Sequence, residues 1–252
     1  MSVGFSSHAP VPFETKWCMK AERLDDYIDS IKEIKRAESE IEVFTGLEVD
    51  FIPGVTSPDL FRAKLDYTIG SIHFVEKFQD GTRWEIDGTH AFFLEGFSKI
   101  FKNNIQDAIT RYFELTREMI SIACPTIIGH LDKIKIQNVD GKFFSETDSW
   151  YQQEIEKTLD LIGTANTIVE VNTRGIYQKK SDTTYPSPWI LERLLQKKIP
   201  LTISSDAHHP DDIINQFPET ASLLKKIGFK TVMVLSEGSW KPFPFNEHGI
   251  IR

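Results

Sequence analysis

The sequence predicts an α/β domain of barrel-like architecture, and three observations carry that prediction. Seven apolar, β-rich runs recur along the chain: "SVGFS", "EVFTGLEVD", "YTIGSIHFV", "TIIGH", "TIVEVN", "LTISS" and "TVMVLS". Helical patterns separate most of them, and strand–helix alternation points to a parallel sheet. Every run except the last delivers a histidine, carboxylate or asparagine at or near its C-terminal end, where a parallel barrel gathers such side chains on one rim. At 252 residues the chain fits one α/β barrel domain, 1–252. No GxGxxG or GxxxxGK[ST] follows any strand, so neither a dinucleotide crossover nor a phosphate-cradling loop is signalled.

The intervening segments support the alternation. Leu24, Tyr27, Ile28, Ile31 and Ile34 have the three-and-four spacing of an amphipathic helix over residues 21–37. Similar patterns cover 92–123, 148–165, 187–198 and 211–227. In the segment opening "PSPW", Ser187 can cap and Pro188 can occupy the first helical position.

Composition narrows the function classes. With 29 basic against 37 acidic residues the net charge is -8, which repels nucleic acid and anionic lipid. A small phosphate ester stays compatible, because bound cations invert the local field. The two cysteines, Cys18 and Cys124, form no CxxC or disulfide-rich pattern and suit a reducing compartment. "MSVGFSSHAP" lacks a signal-peptide pattern, and "MISIACPTIIG" is too short to span a bilayer. A soluble, cytoplasmic protein is expected, with no signal for its oligomeric state.

The rim residues are His8, Glu48, His73, His130, Asn172 and Asp206 with His208. Singly, each has an ordinary structural explanation: Asp206 or Ser205 could cap the helix after Pro210, and a strand-end histidine is commonly a hydrogen-bonded core residue. Together they make independent coincidence improbable. His90 and His248 follow no strand, and His209 is a supporting or exposed residue. Four imidazoles and two carboxylates without a thiolate suit Zn, Mn or Fe. Six ligands exceed one tetrahedral ion, so two or more metals are implied, with Glu48 or Asp206 bridging. Such clusters supply hydroxide at neutral pH and clamp the oxygens of an ester, which makes phosphate-ester hydrolysis the expected reaction.

These residues, in this order, resemble the polymerase-and-histidinol-phosphatase (PHP) superfamily, and within it the histidinol-phosphate phosphatases. The likeness rests on "GFSSHAPVPF", "GLEVDFIPG", "IGSIHFV", "GHLDKIK", "EVNTRG" and "SSDAHHP", and extends over essentially the whole chain. The resemblance implies a distorted seven-stranded (β/α) barrel with two to three divalent metal ions and hydrolysis of histidinol phosphate in histidine biosynthesis. In it Glu48 bridges two metals, His73 and His130 complete one, Asp206 ligates another, and His8 with His208 serves the third. Glu48, Asp206 and His208 then stand at the reacting centre. Arg174 is expected to grip the phosphate, because a guanidinium meets two oxygens at once, and Asn172 to orient it or a ligand. Asp132 and Lys133 are candidates to support His130.

One departure stands out. The family begins with a strand carrying His-x-His, and this sequence has no His-x-His. A strand-plus-helix unit of about 30 residues accounts for the difference, and the expectation is that the first β-α unit is missing. Within the same superfamily, a phosphodiesterase or an enzyme acting on another small phosphomonoester or nucleotide is the nearer rival. An amidohydrolase-type deaminase would want His-x-His and a strand-end lysine. A non-catalytic relic of the fold would bind little metal. Finally, "EKFQDGTRWEIDGTHAFF" is either an ordinary exposed loop or a cover over the substrate, with Trp84, Glu85 or Asp87 as contacts.

Overall fold

The computed structural model describes residues 2–251. Its strands are β1 (Ser2–His8), β2 (Glu42–Asp50), β3 (Tyr67–Ser71), β4 (Phe74–Lys77), β5 (Arg83–Glu85), β6 (Ile127–Ile128), β7 (Ile168–Asn172), β8 (Leu201–Ser204), β9 (Thr231–Ser236), β10 (Ser239–Asn246) and β11 (Gly249–Ile250). The helices are α1 (Leu24–Ala37), α2 (His90–Lys99), α3 (Ile105–Ala123), α4 (Ser149–Ile162), α5 (Arg174–Tyr177), α6 (Pro188–Gln196) and α7 (Phe217–Ile227). Six strands form one parallel sheet in the order β1-β2-β3-β6-β7-β8. The sheet curls: the imidazoles of His8, ending β1, and His208, just past β8, have centroids 6.3 Å apart, although they belong to opposite edges. This is the distorted, mostly parallel barrel that the sequence predicts.

Period-two alternation explains the interior. The inward series run Gly4–Ser6–His8 on β1, Phe44–Gly46–Glu48–Asp50 on β2, Tyr67–Ile69–Ser71–His73 on and after β3, and Ile168–Glu170–Asn172 on β7. Each begins small or apolar and ends polar. At the apolar end Phe44, Tyr67, Ile69, Ile127 and Ile168 pack together. The Tyr67 ring needs room beside two glycines: a Cβ on Gly4 would lie 2.4 Å from the phenol oxygen, and one on Gly46 2.4 Å from the ring. The opposite faces of the sheet meet α3, α4, α6 and α7 in the main core, through Ile128, Val169, Val171 and Leu201.

The seventh predicted strand lies outside the parallel sheet. β9 pairs antiparallel with β10, and Leu235, Met233 and Trp240 of that hairpin close the apolar end of the barrel. Ser236 Oγ donates to Glu42 Oε2 at 3.0 Å, which ties the hairpin to the start of β2. The helix expected over 92–123 is two helices. Lys102 and Asn103 adopt φ of 52° and 63°, and Asn104 Oδ1 then caps α3 by accepting from Gln106 N and Asp107 N. No helix among the described residues is long and apolar enough to cross a membrane.

Candidate metal centre

The polar ends of the inward series converge. Glu48, His73 and His130 are all buried, and one ligand atom from each lies within 4.8 Å of the others. Glu48 Oε1 is 3.0 Å from His130 Nε2 and 3.7 Å from His73 Nε2, and the two Nε2 atoms face each other at 3.2 Å. His8 enters from β1, with Nδ1 3.7 Å from Glu48 Oε2. Strand register dictates this meeting, since His8 is level with Glu48 across the β1–β2 ladder. His130 reaches the same point from a strained exit of β6 at φ 20°.

A second group forms at the far edge. Asp206 Oδ1 and His208 Nδ1 are 3.6 Å apart. They do not meet by continued extension of β8, because Asp206 turns into the left-handed region at φ 51°. Asn172 Nδ2 donates to Asp206 Oδ2 at 3.1 Å, and Asn172 Oδ1 accepts from Arg174 N at 2.9 Å. Arg174 Nη1 donates to the Asp206 carbonyl oxygen at 2.6 Å and also meets His208 Nδ1. His8, His73, Asn172, Arg174, Asp206 and His208 all line one cavity of about 220 Å³. His209 is exposed, and its imidazole accepts from Asp211 N as a helix cap.

Several contributors were absent from the set read from sequence. Asp50, two residues after Glu48 and on the same face, holds His73 through Nδ1 at 3.0 Å and forms a second potential ligand group with His8 and His73. Glu170 Oε2 accepts from His130 N at 2.7 Å and from Asn172 Nδ2 at 3.2 Å, fixing both. Both acids were legible as period-two partners of named residues. Lys133 lines the cavity and pairs with Asp87 at 3.1 Å, whereas Asp132 turns away to pair with Lys135 at 2.8 Å. Of the loop residues, Glu85 and Asp87 line the cavity. Trp84 does not, which corrects that expectation: it is wholly buried in the main core and donates to Phe93 O at 3.2 Å. The physical reason is alternation along β5, which turns Trp84 inward and its neighbours outward.

The electrostatics are those of a cation-binding pocket. Burial works to raise the Glu48 carboxyl, but the imidazoles of His8, His130 and His73 hold it well below the usual carboxylate range. Burial likewise opposes charge on His73, yet the Asp50 and Asp87 carboxylates outweigh it and lift His73 to about 9. Burial and the neighbouring Lys133 lower His130. Burial, Asp206 and Glu48 push Glu170 up to about 7. Burial also raises Glu85, offset in part by donation from Trp17 Nε1 at 3.3 Å.

The residues present fit divalent metals. Two imidazole nitrogens and a carboxylate oxygen, all electron-pair donors, converge on one small volume, and His130 Nδ1 and His8 Nδ1 are buried with no hydrogen-bond partner. An all-nitrogen-and-oxygen donor set suits Zn, Mn or Fe. Because His73 is protonated at neutral pH without metal while His130 is already neutral, metal binding should expel one proton from His73. Apparent affinity should therefore rise about tenfold per pH unit from neutrality up to about pH 9 and then level off. Calorimetry of metal binding in two buffers of different ionisation enthalpy reads that proton, and a pH-independent affinity over this range contradicts the assignment.

The chain is similar to several relatives and solved structures. A Deinococcus radiodurans protein named "Probable histidinol-phosphatase" is 26% identical over 238 residues, covering 90% of this chain and 82% of its own. The histidinol-phosphatase of Bacillus subtilis is 25% identical over 229 residues, covering 84% and 83%. The hisK protein of Listeria monocytogenes superposes with a TM-score of 0.73 at 21% identity, over 86% of this chain and 88% of that one. A histidinol phosphate phosphatase of Lactococcus lactis, solved with zinc, L-histidinol and phosphate, gives 0.64 at 17% identity over 95% and 87%. At those identities the structural likeness shows the fold. Residues 1–174 match the family model of the PHP domain, more than half of the sequence, and the chain belongs to the PHP domain family.

Proposed function

We propose that this chain is a metal-dependent phosphomonoesterase that hydrolyses histidinol phosphate to histidinol and phosphate, a step of histidine biosynthesis. The observation that carries the reading is the meeting of Glu48, His73 and His130 at a cavity that His73 and Arg174 both line. The names of the relatives and the histidinol and phosphate bound by the Lactococcus lactis neighbour support the choice of ester.

In this reading His8, Glu48, His73, His130, Asp206 and His208 hold two to three divalent ions of Zn, Mn or Fe, with Asp50 orienting His73. Those ions supply positive charge and a nucleophile usable at neutral pH. Arg174 meets the phosphate oxygens, held in place by the Asp206 carbonyl oxygen and by Asn172 Oδ1 on its own backbone N–H. Lys180, an exposed cation with no ion-pair partner among the described residues, lines the same wall. The cavity walls of Trp17 and Tyr185 limit water around the ester.

The test is phosphate release by the metal-loaded chain from a panel of phosphomonoesters. Histidinol phosphate is expected to show a kcat/KM at least about tenfold above simple alkyl or sugar phosphates. Equal rates across the panel overturn the substrate, and no release from any member overturns the reaction.

A further inference from the structure

The cavity carries three carboxylates at its surface, and their partners differ. Asp87 is neutralised by Lys133 at 3.1 Å. Asp206 is held by Arg174, whose Nη1 lies 3.4 Å from Oδ1. Glu85, half-buried, has no basic group within 4.0 Å among the described residues and accepts only one long bond, from Trp17 Nε1 at 3.3 Å. Its other oxygen lies beside Gly88, where a Cβ would stand 2.9 Å from Glu85 Oε1, and both residues line the cavity. Trp17 is itself fixed, stacked on Phe74 at 5.5 Å and 10° and set edgewise against His8 at 4.6 Å and His73 at 5.2 Å. A fixed, partly desolvated carboxylate with no basic side chain in ion-pairing reach favours a ligand that brings one.

We propose that Glu85 is a specificity residue that receives a cationic group, an ammonium or imidazolium, on the alcohol half of the phosphate ester, with Trp17 as the adjoining wall. The proposal rests on the phosphomonoesterase reading and deepens it: the metal-side residues and Arg174 take the anionic end, and Glu85 takes the cationic end. A carboxylate here discriminates by what it loses, because an ester lacking the cation leaves a partly desolvated charge unpaired. The competing explanation is structural, that Glu85 serves only to hold Trp17 through its hydrogen bond. Glu85→Gln separates the two, since the amide oxygen still accepts from Trp17 Nε1 while the charge is gone.

The experiment measures kcat/KM of the metal-loaded wild-type and Glu85→Gln proteins on histidinol phosphate and on phenyl phosphate, whose alcohol half is uncharged. The ratio of the two values is expected to fall about ten- to a hundredfold in the variant, the span of one charge-assisted hydrogen bond. An unchanged ratio overturns the proposal, including the case in which both rates fall together because the site is disturbed. Should the wild type hydrolyse neither ester, the phosphatase reading fails on its own account. Calorimetry with histidinol alone then decides the subsite: binding about tenfold weaker to Glu85→Gln supports it, and equal binding overturns it.

Discussion

Glu48→Ala is expected to strip the protein of its divalent metal and to cut phosphate release by a thousandfold or more, an order-of-magnitude figure set by the upper end for a single group that stabilises transferring charge. The reason is positional. Glu48 lies within reach of three imidazoles, from His8, His73 and His130, and its Oε1 accepts from Ser71 Oγ at 2.7 Å, which fixes the direction of its lone pairs. Among the described residues no other carboxylate lies within 4.0 Å of all three rings. Without it the three imidazoles lose the one carboxylate they share, and Asp50, which lies against His73, is left to compensate the divalent charge. Elemental analysis of the purified variant measures the metal, and phosphate release measures the consequence. Wild-type metal content with wild-type turnover defeats the assignment. An unchanged melting temperature in chelator, compared with chelated wild type, separates metal loss from misfolding.

Asp132→Ala is expected to destabilise the fold by about 3–5 kcal/mol, the cost of removing one partner of a buried ion pair. Asp132 is wholly buried and Lys135 nearly so; besides Asp132 the ammonium donates to Thr183 Oγ1 and Thr184 O at 3.2 Å each and to Ser187 Oγ. Ser187 in turn donates from both N and Oγ to Asp132 Oδ2, each at 3.0 Å. The serine that sequence reading assigns to capping α6 thus spends its hydroxyl on this clamp, and no side-chain cap bond forms. The clamp fastens the segment carrying Tyr185, a cavity wall, to the segment carrying Lys133. Urea unfolding of Asp132→Ala, Lys135→Met and the double variant measures the pair. The double variant should recover stability relative to the sum of the single changes, by about 1–3 kcal/mol as for residues in one network. Strict additivity would show that the two groups do not act as a unit.

Much of this centre was readable because strand period and barrel geometry act together. A parallel strand fixes which side chains face inward, and the barrel fixes where inward side chains near the C-terminal ends must go. His8, Glu48, His73 and His130 follow directly from those two constraints, and Asn172 and Asp206 join the same cavity wall. Asp50 and Glu170 obey the same period, yet each precedes or follows a more conspicuous residue and does its work by hydrogen bonding. Trp17, Glu85 and Asp87 come from connecting segments, whose paths local sequence does not encode. The hairpin escaped for another reason. "SWKPFPFN" contains Pro242 and Pro244, which argue against a strand, but their two-residue spacing places both missing N–H groups on one edge and leaves the other free to pair with β9.

The hairpin that floors the barrel has a consequence for synthesis. During translation the strands bearing the imidazoles emerge first, while Leu235 and Trp240, which cover Tyr67 and Phe44, are still inside the ribosome. Until they leave the exit tunnel, water enters from below and the nascent domain presents a wet, unsealed interior to chaperones. The interior beneath the metal centre is therefore sealed only once the opposite pole of the molecule is in place.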